Sequence, residues 1–185
     1  MTNKYFWKII DNSKKNGAEQ VEWLTQELVK KRTEEVIEFE IEFRNKLEQS
    51  YTSSLWGAAF VIMGGCSDDG FDYFRGWLIS RGEEVFNQGV NNPEFLAEYF
   101  TEDNLQEDGF APQLEEILSA ASDAYTYQKT GSFEYNDDIY TEFLNELEAR
   151  GYKFEPIDIE FDWEEEDLEE RFPLLWDKFG EDPLT

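Results

Sequence analysis

The chain has 185 residues, of which 43 are acidic and 16 basic, with no histidine and a formal net charge of -27. Its hydrophobic share of 40% and aromatic share of 17% supply a sizeable core and argue against general disorder. So negative a field repels phosphates and anionic headgroups, which excludes direct binding of nucleic acid or a membrane surface, and the lack of histidine removes the usual zinc and catalytic-triad constellations.

Phe6, Ile9 and Ile10 recur at helical spacing beside Trp7, and the pattern stops at Lys14, Lys15, Asn16 and Gly17. Val21, Leu24 and Leu28 resume it at once, so two short antiparallel helices are predicted. Thr33 then reads as an N-cap ahead of Glu34 and Glu35, acids placed where the helix dipole favours them. Val36, Phe39, Phe43 and Leu47 carry the buried face of that helix, with Ile37, Ile41 and Arg44 forming a neighbouring stripe.

The run from 55 to 63 is apolar almost throughout. Periodicity cannot separate a buried helix from a strand there, but Gly57, Ala58 and Ala59 permit close helix packing and the flanking periods are helical. A central helix stopped by Gly64 and Gly65 is therefore predicted. Asp68 or Asp69 can cap the next helix, which carries Phe71, Phe74, Trp77 and Leu78 and ends at Gly82. Asn92, Pro93 and Glu94 read as another start, Pro112 as a further one leading to Leu114, Ile117, Leu118 and Tyr125, and Ile139 to Leu147 as a helix ending at Gly151.

Beyond Gly151 the character changes. Residues 155–170 hold ten acids and no base. Ile157, Ile159 and Phe161 alternate with acids in the manner of a short strand or extended strap, and Leu168, Phe172, Leu175 and Phe179 read as a final short helix despite Pro173. The expected architecture is mainly α, one compact multi-helix domain over 1–185 with an acidic C-terminal segment docked onto it from about 152. Residues 1–53 hold 10 acids and 9 bases, whereas residues 91–185 hold 28 and 5, so nearly all the charge excess lies in the second half.

Cys66 is the single cysteine, which excludes an internal disulfide framework and fits a reducing compartment. Residues 1–15 are too polar for a signal peptide, and no run approaches the roughly 18 apolar residues of a membrane span. A cytoplasmic location is expected; oligomeric state is not legible.

The chemistry-bearing passage follows the apolar run: Gly64, Gly65, Cys66, Ser67, Asp68, Asp69 and Gly70, then Phe71, Asp72, Tyr73, Phe74, Arg75, Gly76 and Trp77. Three readings compete. In the structural one, an aspartate caps the helix, Asp72 holds Arg75 three residues on, and Cys66 fills a small buried space. In the second, Asp68, Asp69 and Asp72 offer oxygen ligands to a weakly held divalent cation, the only cofactor the sequence allows for, although their spacing is not that of an EF-hand loop. The third makes Trp56, Tyr73, Arg75 and Trp77 the lining of a pocket in which Arg75 holds a carboxylate or amide. Cys66 has no histidine or second cysteine to support nucleophilic or dithiol chemistry.

With Trp56-Gly57-Ala58-Ala59, the Gly64 to Phe71 passage and Tyr73-Phe74-Arg75-Gly76-Trp77-Leu78-Ile79 in view, the chain resembles the bacterial domain of unknown function family number 4240. Phe6, Trp7, Tyr51, Gly82 and Phe86 fit it, as does the closing Glu170-Arg171-Phe172-Pro173 with Leu175. The resemblance implies a helical fold of similar size and a leaning toward regulatory or protein-interaction contexts. It makes Trp56, Asp68, Asp69, Tyr73, Arg75 and Trp77 candidates for a shared site, and transfers no activity, substrate or cofactor. The function expected is noncatalytic docking of a basic protein by the acidic second half, with Trp163, Phe161 or Tyr152 as apolar anchors. Metal-dependent hydrolysis at Asp68, Asp69 and Asp72, and small-ligand sensing around Trp56, Arg75 and Trp77, are the alternatives.

Overall fold

The computed structural model describes residues 1–101, 104 and 111–184. Among them all regular structure is helical: α1 (Asn3–Lys14), α2 (Gln20–Val29), α3 (Thr33–Ser50), α4 (Ser53–Met63), α5 (Asp68–Ser80), α6 (Glu83–Asn91), α7 (Phe95–Tyr99), α8 (Ala120–Thr130), α9 (Asp137–Ala149), α10 (Leu168–Arg171) and α11 (Pro173–Phe179). Short 3-10 turns lie at Gly17–Glu19, Glu115–Ser119 and Glu165–Asp167. The protein is a mainly α, compact multi-helix fold.

Local chemistry sets most of the boundaries. Thr2, Thr52, Ser67 and Asn136 each accept a backbone N-H of the first turn at the starts of α1, α4, α5 and α9, satisfying donors that a helix leaves without partners. The ambiguous apolar run is α4: Thr52 caps one end, and Gly64 ends it in the left-handed region at φ +65°, a conformation only glycine adopts without penalty. α3 and α5 are central. α5 packs against α1, α3, α4 and α6, while α3 also packs against α8 and α9. A buried polar knot ties three helices together: Gln20 Nε2 donates to Ser13 Oγ (3.0 Å) and to the Ser80 carbonyl (2.9 Å), and Arg81 Nη2 donates to Gln20 Oε1 (2.5 Å).

Several boundaries differ from the sequence reading. Ser67 caps α5, placing Asp68 and Asp69 in its first turn; a hydroxyl one residue upstream takes the role assigned to the carboxylates. Arg32 stands at the N-cap of α3, and Thr33 is already helical. Asn92 and Pro93 precede α7 as a turn, since its N-cap is Glu94. Pro112 does not open a helix; the chain tightens into the 3-10 turn at Glu115–Ser119 before α8. Gly82, at φ +93°, separates α5 from α6, a helix whose apolar signal amounts to Phe86 and few neighbours.

The C-terminal helix is broken in two at Phe172 (φ -128°, ψ 60°), because the ring of Pro173 disfavours helical backbone at the residue before it. Residues 152–164 form neither helix nor strand, so the alternation of Ile157, Ile159 and Phe161 does not mark a β-strand. With no neighbouring strand to pair with, that segment uses side chains instead: Tyr152 Oη donates to Glu48 Oε1 (2.6 Å), and Trp163 Nε1 donates to the Ser53 carbonyl (2.8 Å). Leu168, Phe172, Leu175 and Phe179 are buried, with α11 against α4 and α7. No helix among the described residues is long and apolar enough to cross a membrane.

Candidate functional site

The first turns of α5 project Asp68, Asp72 and Arg75 to one side, since positions four and three apart fall on the same helical face. Asp69 and Tyr73 share the adjacent face. Arg75 is 6% exposed. Its Nη1 donates to the Leu47 carbonyl at the end of α3 (2.6 Å), and its Nη2 pairs with Asp72. Its guanidinium carbon lies 4.6 Å from the ring centroid of Tyr51 and 5.0 Å from that of Phe71. Burial pulls the Arg75 pKa below its ordinary value while Asp72 pushes back, and an arginine so placed stays charged. Its Nε-H has no acceptor among the described residues.

The two tryptophans named from the sequence belong to the core. Trp56 stacks on Phe71 with centroids 4.6 Å apart, and its indole N-H donates to the Cys66 carbonyl (3.0 Å). Trp77 is 2% exposed and stacks on Phe100 at 5.2 Å. Neither ring borders the open space beside Arg75, so the pocket expected among Trp56, Arg75 and Trp77 does not take that form. Tyr73 turns to Glu115, whose hydrogen bond raises the phenol pKa. Cys66 sits close to Arg75, Asp68 and Asp72, and burial pushes its thiol up to about 12, which keeps it protonated and unreactive near neutrality.

Asp68, Asp69 and Asp72 do not gather as ligands; among the described residues no three His, Cys, Asp or Glu side chains form a group that could hold a metal ion. Asp72 is occupied by Arg75, and Asp69 points along a different face from Asp68.

What does open beside Arg75 is a cleft of about 340 Å³ between α3, the start of α5 and residues 152–157. Asp68, Asp72 and Arg75 form one wall; Arg44, Leu47, Glu48 and Tyr51 come from α3 and its end; Tyr152, Glu155 and Ile157 close the third side. Arg44 is a second stacked guanidinium, 5.7 Å from the Tyr152 centroid and 5.2 Å from that of Phe154. Its Nε donates to Glu40 Oε1 (2.6 Å). Glu40 is 3% exposed, and burial raises its pKa against the pull of Arg44. Sequence reasoning read Arg44 as part of a helical stripe and missed the buried Glu40 four residues before it. Their spacing was the available signal.

These features define an acidic, mainly helical protein in which a buried arginine cements two central helices and borders an open cleft. More particularly, residues 1–127 match the family model described as Protein of unknown function (DUF4240), and the chain belongs to that family. The match ends before Tyr152, Glu155 and Ile157, and before the Glu170 to Leu175 passage, so the third wall of the cleft and the acidic segment lie outside the matched region. No curated protein and no solved structure matches the chain.

Proposed function

We propose that this protein is a noncatalytic binding protein that docks a basic partner through residues 154–170. The supporting observation is a coincidence of charge and apolar exposure on one segment. All ten carboxylates of 155–170 are exposed, and two of them have ion-pair partners among the described residues: Asp162 with Arg171 at 2.8 Å and Glu155 with Lys153 at 3.8 Å. Phe154 just before them and Ile157 and Phe161 among them are exposed by 42%, 43% and 52%. Exposed carboxylates steer a cationic surface into encounter, whereas affinity comes from apolar side chains that become buried. Of the three anchors expected, Phe161 packs edge-on against Trp56 and Trp163, at 5.0 and 5.6 Å, and keeps its remaining surface open to a partner; Tyr152 and Trp163 are tied down by hydrogen bonds to Glu48 and Ser53.

The test is binding of the intact protein to a panel of purified basic proteins by interferometry across a salt series. The expected result is at least one complex that persists at about 0.15 M salt, weakens steeply above it, and is lost in Phe161→Ala. Complexes confined to low salt, or unaffected by Phe161→Ala, would refute docking through this segment.

A further inference from the structure

We propose that residues 157–164 are an unpaired strand that recognises its partner by strand addition, the partner supplying an extended segment in which lysine or arginine alternates with apolar residues. The inference rests on the docking reading for its location and adds the chemistry of what docks. Ile157, Ile159, Phe161 and Trp163 alternate without a break with Asp158, Glu160, Asp162 and Glu164. That is the period of a β-strand, and the chain runs from 152 to 164 with no helix, turn or bend. Pro156 stands just before the alternation, where a strand tolerates it. The apolar side is seated: Ile159 and Trp163 are partly buried against the core, and Phe161 meets Trp56 edge-on at 5.0 Å. The acids on the other side are exposed.

In extended backbone the N-H and C=O of one residue point to the same edge, and those of the next residue to the opposite edge. Asp162 uses both groups on its own edge: its N-H donates to Ser53 Oγ (3.2 Å), and its carbonyl accepts from Arg171 Nη1 (3.0 Å). The other edge belongs to Ile157, Ile159 and Phe161, whose backbone N-H and C=O groups make no hydrogen bond among the described residues. A row of free N-H and C=O groups on an exposed strand edge is a template for pairing with another chain.

An antiparallel strand laid on that edge forms hydrogen-bonded pairs opposite Ile157, Ile159 and Phe161. Opposite Asp158 and Glu160 it forms the other kind of pair, in which side chains approach more closely. Lysine or arginine at those positions is attracted across the ladder, and the apolar residues between them lie beside the exposed parts of Ile157 and Phe161. A second copy of this segment would set acid against acid, and like charges directly opposite are destabilising. The acids that keep copies apart thus admit a basic strand.

The experiment is a nuclear magnetic resonance titration of the isotope-labelled full chain at about 0.15 M salt. The probe is an end-blocked octapeptide of alternating lysine and valine. Beside it are titrated a block peptide of the same composition, all lysines before all valines, and two backbone N-methylated forms of the alternating peptide, one methylated at the valines and one at the lysines. The alternating peptide is expected to bind saturably and to protect the amides of Ile157, Ile159 and Phe161 from hydrogen exchange. Methylation at the valines, whose N-H groups face the ladder, should weaken it at least about tenfold, and the block peptide should be weaker by a similar factor. Methylation at the lysines, whose N-H groups lie on the outer edge, should leave affinity unchanged. Glu160→Lys, at an exposed position, should weaken the alternating peptide about tenfold with an unchanged circular dichroism spectrum.

Equal binding of the block peptide or of the valine-methylated peptide would mean docking by charge alone; that overturns strand addition and leaves the docking reading standing. Protection of the same amides in the chain alone, with a dimer on sedimentation, would make a second copy the occupant and overturns the proposal as well. No shift with any peptide also overturns it, and docking is then decided separately by the panel of basic proteins.

Discussion

Replacing Gly57 by alanine tests whether the acidic C-terminal segment is seated on α4 as the structure has it. A β-carbon at this position would stand 2.9 Å from Phe172 Cε2, 3.0 Å from Trp163 Nε1 and 3.1 Å from Trp163 Cε2. Two rings, neither of them a flexible tail, would have to move. Overpacking of this kind costs about 1–3 kcal/mol, and displacing Trp163 also strains its hydrogen bond to the Ser53 carbonyl (2.8 Å), worth about 1 kcal/mol. Against these stands the helix-propensity gain of alanine over glycine, about 1 kcal/mol. The net expectation is a destabilisation of about 1–3 kcal/mol, read as a lower urea midpoint by circular dichroism, with a change in tryptophan fluorescence in the folded baseline. If the segment were not packed there, propensity alone would operate and Gly57→Ala would be stabilised by about 1 kcal/mol. A neutral or higher midpoint with an unchanged fluorescence baseline refutes the seating, and with it the presentation of Phe161 and its neighbouring acids.

Two further expectations concern ionisation. Burial, aided by hydrogen bonds to Glu142 and Glu48, pushes the phenols of Tyr125 and Tyr152 up to about 12. Their ordinary value is 10.0, so the unfolded chain releases these protons first: the stability they contribute is complete below that pH and is lost as pH rises toward 12. Alkaline unfolding followed by circular dichroism should therefore be less steep in Tyr125→Phe and Tyr152→Phe, and an unchanged profile in both would count against this account. Cys66, with its thiol at about 12, should react with iodoacetamide at about pH 8 at least about a hundredfold more slowly in the folded protein than in urea; equal rates would show an accessible thiolate that the burial argument forbids.

The order of helices was legible wherever the apolar period was strong and a stop signal closed it. α1, α2, α3, α4 and α9 fall where Phe6 to Ile10, Val21 to Leu28, Val36 to Leu47, the 55–63 run and Ile139 to Leu147 place them. α6 went unread because Phe86 lacks a sustained stripe around it. The Asp72 and Arg75 pairing was also legible, since a separation of three on a helix brings side chains together whatever surrounds them.

The sequence by itself determined the helical class, the segregation of charge into the second half and the local pairing within α5, because each rests on spacing or composition and needs no knowledge of neighbours. Only the tertiary structure decided which side chains face solvent and which distant segments meet. It sent Trp56 and Trp77 into the core, and brought Arg44, Tyr51, Tyr152 and Glu155 around Arg75 from two other parts of the chain. Contacts between residues a hundred positions apart, such as Tyr152 with Glu48, leave no periodic trace; they exist because burying the apolar faces of the helices fixes where the remaining side chains can go.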